Sequence, residues 1–318
     1  MKIYFLLFIY LFIYSFMYLF FYFFTYIYCT FSYFCWFGLC NILQFAFSLH
    51  FKSTYNKNLT FVYELNDLFF VIFIFQTIKS VTIEGFKENI NDFMEILGDE
   101  MKCMNPESFT ITTHRSNEKR CYDMNTKALV KTIEAFKNWT RLSYLNLTHI
   151  FLPGYVARIL GALRNPCERI CLLNNLIGFD DMVYLSQCHH LPKLYHLALE
   201  GNQIDNNVEE LVELVKQTPD LKYLNLGGTH LNGAEKLEVI KTLQAFNPKL
   251  ETLKLAGVHD WSCSPKDYVQ QVEIACQMPA LRKFFVFPWG LAIFATKMFE
   301  ECDQLLKKFG RTDIELQY

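Results

Sequence analysis

The chain has 318 residues, enough for one large domain or two ordinary ones. Its formal net charge of −2 excludes a general electrostatic attraction to nucleic acid or to acidic surfaces. Its eleven cysteines, odd in number, irregularly spaced and without a CxxC pair, exclude a disulfide framework and suit buried thiols in a reducing compartment.

Phe and Tyr crowd the first 76 residues, and the composition changes near Gln76. Between Lys2 and His50 no residue is charged, a run longer than the roughly 20 residues that span a bilayer. Residues 1–50 are therefore expected to be an apolar helical segment, one or two transmembrane helices, with 51–76 a linker or capping strand. Phe61–Phe75 carries Glu64 and Asp67, so its uninterrupted apolar run is too short to span and suits a buried strand. A second reading stays open beside the anchor. Residues 1–50 hold a single Ala and a single Gly, the residues that spanning helices use for close packing. Phe, Tyr, Ile, Leu, Ser and Cys all have T-rich codons, and Phe75-Gln76 is what a pyrimidine tract ending in a splice acceptor would encode. On that reading much of 1–76 is translated intron or leader, and an uninterrupted transcript across Gln76–Thr77 would sink it.

From residue 77 to 318 the chain has an internal period. The pattern L-x-x-L-x-L-x-x-N-x-L is clearest in Leu194, Leu197, Leu199, Asn202 and Ile204, and next in Leu221, Leu224, Leu226, Thr229 and Leu231. Before these come Leu142/Leu145/Leu147 and Cys167/Ile170/Leu172 with Asn175; after them, Leu250/Leu253/Leu255 and a degenerate Leu281/Phe284/Val286. Ile78/Val81/Ile83 and Pro106/Phe109/Ile111 are weaker copies. The steps lie near 28 residues, except for a longer one after Pro106, which implies an insertion around Thr112–Thr126.

Each part of the pattern has a cause. Three apolar residues alternate along a short strand and enter one core. The ninth residue, Asn175, Asn202 or more weakly Thr229, can bond backbone groups where the chain leaves the strand. Lys127–Asn138, Val208–Val215 and Leu237–Phe246 have the apolar stripe of a surface helix, and Pro192, Pro219, Pro248 and Pro279 end the helices before the next strand. No single repeat buries its own apolar face, so the units must stack. The expectation is an α/β leucine-rich-repeat solenoid of about eight repeats, with a parallel concave sheet and outer helices.

These residues resemble the ribonuclease-inhibitor-like class of leucine-rich-repeat proteins. The resemblance implies a horseshoe that binds protein ligands, cytoplasmic or nuclear for the repeat domain and membrane-anchored if residues 1–50 are retained. Two narrower resemblances add to it. Leu221–Thr229 is similar to repeats of the Zyg-type substrate receptors of cullin ubiquitin ligases, and Phe299–Arg311 to the closing helix of PRAME-like proteins. They imply a non-catalytic scaffold acting as the substrate-recognition subunit of such a ligase, with an elongin/cullin complex as partner. The alternative is a membrane-anchored recognition protein. Ala162-Leu163-Arg164-Asn165-Pro166-Cys167 begins like an elongin-binding box, but Pro166 breaks the helix that the box requires.

Side chains between the core positions face the concave surface, and Tyr and Arg are the types that anchor protein interfaces. The candidate contact residues are Tyr144, Asn146, Arg169, His196, Tyr223, Asn225 and Lys254, with Tyr144, Arg169, His196 and Tyr223 foremost. Most such positions in any solenoid are only solvated sheet side chains. Cys188-His189-His190 invites a zinc reading, but no second ligand pair has finger spacing, so no metal is expected. Nor is a cofactor: the sequence has no phosphate-cradling glycine loop, and no nucleophile–base pair stands out.

Overall fold

The computed structural model describes residues 48–52, 79–84, 101–102, 104–112, 122–123, 126–256, 263–287 and 296–317, within the unit Ser48–Tyr318. The expected capping strand at Phe61–Phe75 lies outside them, as does nearly all of the expected apolar helix. The exception is Ser48–His50, which is extended as part of strand β1 rather than helical, so the helical expectation is corrected there. No helix among the described residues is long and apolar enough to cross a membrane.

Ten strands form one parallel sheet: β1 (Ser48–Lys52), β2 (Ser80–Glu84), β3 (Ser108–Thr112), β5 (Tyr144–Thr148), β7 (Arg169–Leu173), β8 (His196–Ala198), β9 (Tyr223–Asn225), β10 (Thr252–Lys254), β11 (Lys283–Phe285) and β12 (Glu315–Gln317). They lie side by side in chain order, as a stack of repeats requires. From the insertion, β4 (Tyr122–Asp123) pairs with β6 (Ile150–Phe151), which follows β5, in a separate two-stranded sheet. From β2 to β11 every strand of the large sheet begins two residues after the start of its L-x-x-L-x-L copy. β1 and β12 extend the sheet beyond the expected repeats at both ends.

The core row of the register runs Leu145, Ile170, Leu197, Leu224, Leu253, Phe284, and each is at most 1% exposed. Among the described residues, these helices return the chain between strands: α1 (Thr126–Phe136), α2 (Val156–Ala162), α3 (Phe179–Leu185), α4 (Val208–Lys216), α5 (Gly233–Phe246), α6 (Pro265–Ala275) and α7 (Thr296–Lys308). On α4, Leu211, Leu214 and Val215 are buried while Glu209 and Glu213 are exposed, as the stripe predicts. α5 starts four residues before the expected Leu237 because Asn232 caps it. The Asn232 side chain accepts from the Ala234 and Glu235 N–H groups, and the Glu235 carboxylate accepts from the Asn232 N–H at 2.7 Å. α4, α5 and α6 end before Pro219, Pro248 and Pro279, so these prolines shape the turns that follow the helices.

Two polar ladders tie neighbouring repeats together. On the strand side, the buried Asn175 amide accepts from the Ile150 N–H at 2.9 Å and donates to the Leu147 carbonyl at 2.7 Å. Asn202 does the same one repeat on, accepting from the Asn175 and Ile177 N–H groups and donating to the Leu172 and Leu199 carbonyls. Thr229, too short to reach back, donates only to Leu226 of its own repeat. On the helix side, residues just before β5, β8, β10 and β12 reach back to earlier carbonyls. Trp139 Nε1 donates to Met101, Asn247 Nδ2 to Val215 and Thr218, and the Arg311 guanidinium to Cys276, Met278 and Leu281. His190 belongs to this second ladder. Its Nδ1 accepts from the Cys167 N–H at 2.9 Å, and its Nε2 lies 3.0 Å from the Leu160 carbonyl, to which it donates.

Candidate protein-binding surface

The face of the sheet away from the helices is built by strand alternation. Pairing places Tyr144, Arg169, His196 and Tyr223 in one row, continued by Thr252 and Lys283. Two residues further along the strands lies a parallel row: Asn146, Cys171, Ala198, Asn225, Lys254 and Phe285. All seven candidate residues therefore stand in two adjacent rows of one face.

Within the rows and between them the side chains pair. The Arg169 guanidinium carbon lies 4.1 Å from the centre of the Tyr144 ring, in cation–π contact. His196 and Tyr223 are stacked, with centroids 4.1 Å apart and planes 2° from parallel. Lys254 Nζ sits 4.3 Å from the centre of the Phe285 ring and 5.9 Å from that of Tyr223. The Tyr195 and Tyr144 hydroxyls face the Arg169 guanidinium, whose Nε is buried without an acceptor. The strip thus intersperses aromatic rings and cations across six strands, β5 and β7 to β11.

The rings also roof part of the second row. Cys171 and Ala198 point away from the core yet are 6% and 3% exposed. Burial pushes the Cys171 thiol up to about 11, and burial, with Arg169 adding to it, pulls the His196 imidazole down to about 4. At neutral pH both are uncharged, which leaves Arg169 and Lys254 as the charges of the strip.

Asn225 is a turn-fixing residue more than a contact: it is only 3% exposed, donates to Glu200 Oε2 at 2.7 Å and accepts from the Gly227 N–H at 3.0 Å. Asn146 accepts from the Thr148 hydroxyl at 2.7 Å. Tyr195, Cys171 and Phe285 belong to the surface but escape a reading of the sequence. Tyr195 directly follows a core Leu, Cys171 looks like a buried thiol, and Phe285 lies in a degenerate repeat; the register brings Cys171 and Phe285 to the strip, and the contact with Arg169 brings Tyr195.

At the other candidate cluster, one ligating atom from each of Cys188, His189 and His190 lies within 4.8 Å of the others, closer than their place in the connection suggests. Both nitrogens of His190 are engaged by backbone groups, and burial lowers its imidazole to about 4 while raising the Cys188 thiol. The cluster is thus a piece of the helix-side ladder. The buried Cys167 and Cys302 thiols are likewise pushed up to about 12, so neither supplies a thiolate at neutral pH.

The family model of the PRAME C-terminal domain matches residues 77–284, about two thirds of the chain. No curated protein sequence matches it. The match spans β2 to the middle of β11, and with it every residue of the strip except Phe285. The repeats, their sheet and the rows they carry are those of a leucine-rich-repeat-like protein, and the chain belongs to the PRAME C-terminal domain family.

Proposed function

We propose that this chain is a non-catalytic scaffold that binds a protein partner through the open face of its sheet, as the substrate-recognition subunit of a cullin-type ubiquitin ligase. The observation that carries the reading is the strip itself: Arg169 on Tyr144, His196 on Tyr223 and Lys254 on Phe285, contiguous over neighbouring strands. Aromatic and arginine side chains fixed by one another lose little entropy when a partner docks, which is what makes such residues interface anchors. Family membership supports a protein-interaction scaffold, and the ligase role extends that by resemblance.

The elongin contact cannot come from Ala162–Cys167, because the chain leaves helix α2 at Leu163, whose backbone is extended. Affinity capture of the full chain, with elongin and a cullin as the proteins sought, tests the ligase reading. Both are expected to co-purify in stoichiometric amounts. Their repeated absence, with other proteins retained, would remove the ligase and leave the scaffold.

A further inference from the structure

The cations of the open face differ in what balances them. Arg282 is paired with Asp313 at 2.8 Å and Lys222 with Glu251 at 3.7 Å. Lys283 stands beside Glu315 in the register. Glu200 accepts from the neutral Asn225 amide at 2.7 Å and makes no ion pair with Arg169 or Lys254 among the described residues. Arg169 and Lys254 have no carboxylate among the described residues; each lies against an aromatic ring instead. The buried Nε of Arg169 lacks even a neutral acceptor. Two positive charges with no ion-pair partner among the described residues thus flank a neutral stacked pair, His196 and Tyr223.

We infer that the open face takes an acidic, extended segment of a partner protein, laid across the strands, with one carboxylate on Arg169, a second on Lys254, and an apolar residue between them over His196 and Tyr223. This rests on the open face being the binding surface. Arg169 is on β7 and Lys254 on β10, three strand spacings apart, or about 14 Å at ~4.8 Å each, with a further two-residue offset along the strands. An extended chain advances ~3.4 Å per residue, so carboxylates about four to five residues apart match both cations. Arginine held by its ring is preset for a planar carboxylate, and lysine supplies a point charge.

The test is fluorescence anisotropy of the full chain with a short labelled peptide carrying two glutamates about four residues apart with a valine between them, against the same peptide with glutamines. The glutamate peptide is expected to bind at least about tenfold more tightly, and to lose that advantage in K254Q and in R169Q. The control K241Q, on the outer face of α5, is expected to change nothing. Should R169Q fail to fold, K254E decides alone, since it should reject the two-glutamate peptide and accept one in which a single glutamate is replaced by lysine. Equal binding of the two peptides, or glutamate binding indifferent to Lys254, overturns the inference. A cellular partner lost on Tyr144→Ala with Tyr223→Ala but indifferent to Lys254→Glu would also overturn it, while leaving the open face as the binding surface.

Discussion

Asn202 joins four backbone groups of two repeats, whereas Thr229 at the equivalent position joins one. Leaving a buried backbone group unpaired costs about 1–3 kcal/mol. Asn202→Ala is therefore expected to lower unfolding stability by about 2–4 kcal/mol, and Thr229→Ala by about 1 kcal/mol. Chemical denaturation of both variants gives the comparison, and equal losses would mean that the strand-side ladder does not hold the stack. His190 and His196 make stability depend on pH. Their folded values of about 4 lie below the ordinary 6.5, so between these the unfolded chain binds more protons. Their contribution is complete above pH 6.5 and is lost as pH falls toward 4. Asp181 acts oppositely, because burial raises its carboxyl. The difference between wild type and His196→Gln isolates one histidine: the variant should lose less stability between neutral pH and pH 4, and parallel pH curves would refute its buried neutral state.

The turns after β5, β7, β8 and β9 repeat a left-handed residue at one position, where φ is 60° at His149, 53° at Asn174, 73° at Gly201 and 63° at Gly228. A Cβ costs about 1–2 kcal/mol in that region. At Gly201 it would also collide with the Asn174 side chain, whereas at Gly228 it meets nothing closer than 3.8 Å. Gly201→Ala is accordingly expected to lower the unfolding midpoint more than Gly228→Ala, and the reverse order in thermal melts would contradict the turn geometry. The elements were largely readable from sequence because three alternating apolar residues fix both a strand and its register. β12 was not, because the positions of Glu315–Gln317 that would show the pattern hold only Leu316 in a polar setting. β1 was not, because its alternation is submerged in an apolar segment. The helix-side ladder was hidden for another reason: Trp139, His190, Asn247 and Arg311 do the same work with four different side chains, which no residue pattern connects. The strip was half readable. Strand alternation identified its rows, but the pairing of Arg169 with Tyr144 and of His196 with Tyr223 depends on which repeats lie side by side.

In a stack of repeats each unit leans on its neighbours. Arg311 fastens the β12 repeat to the one before it, donating to three carbonyls of the preceding helix-to-strand turn while Asp313 holds its guanidinium. Arg311→Ala should loosen the C-terminal repeats first, read as faster amide exchange in α7 and β12 than in β7 and β8; uniform acceleration would count against this fastening role. Among the described residues the helices leave one face of the sheet uncovered, and the proposed function makes the aromatic–cation strip on that face the anchoring feature. The most direct test is capture of partners by the full chain, comparing wild type, a Tyr144→Ala/Arg169→Ala/Tyr223→Ala variant of the open face, and a Glu209→Lys/Lys241→Glu variant of the helical side, with folding checked by circular dichroism. Partner recovery is expected to drop at least about tenfold in the first variant and to stay unchanged in the second. Full recovery in the folded open-face variant, or loss only in the helical one, would contradict the open face as the binding surface.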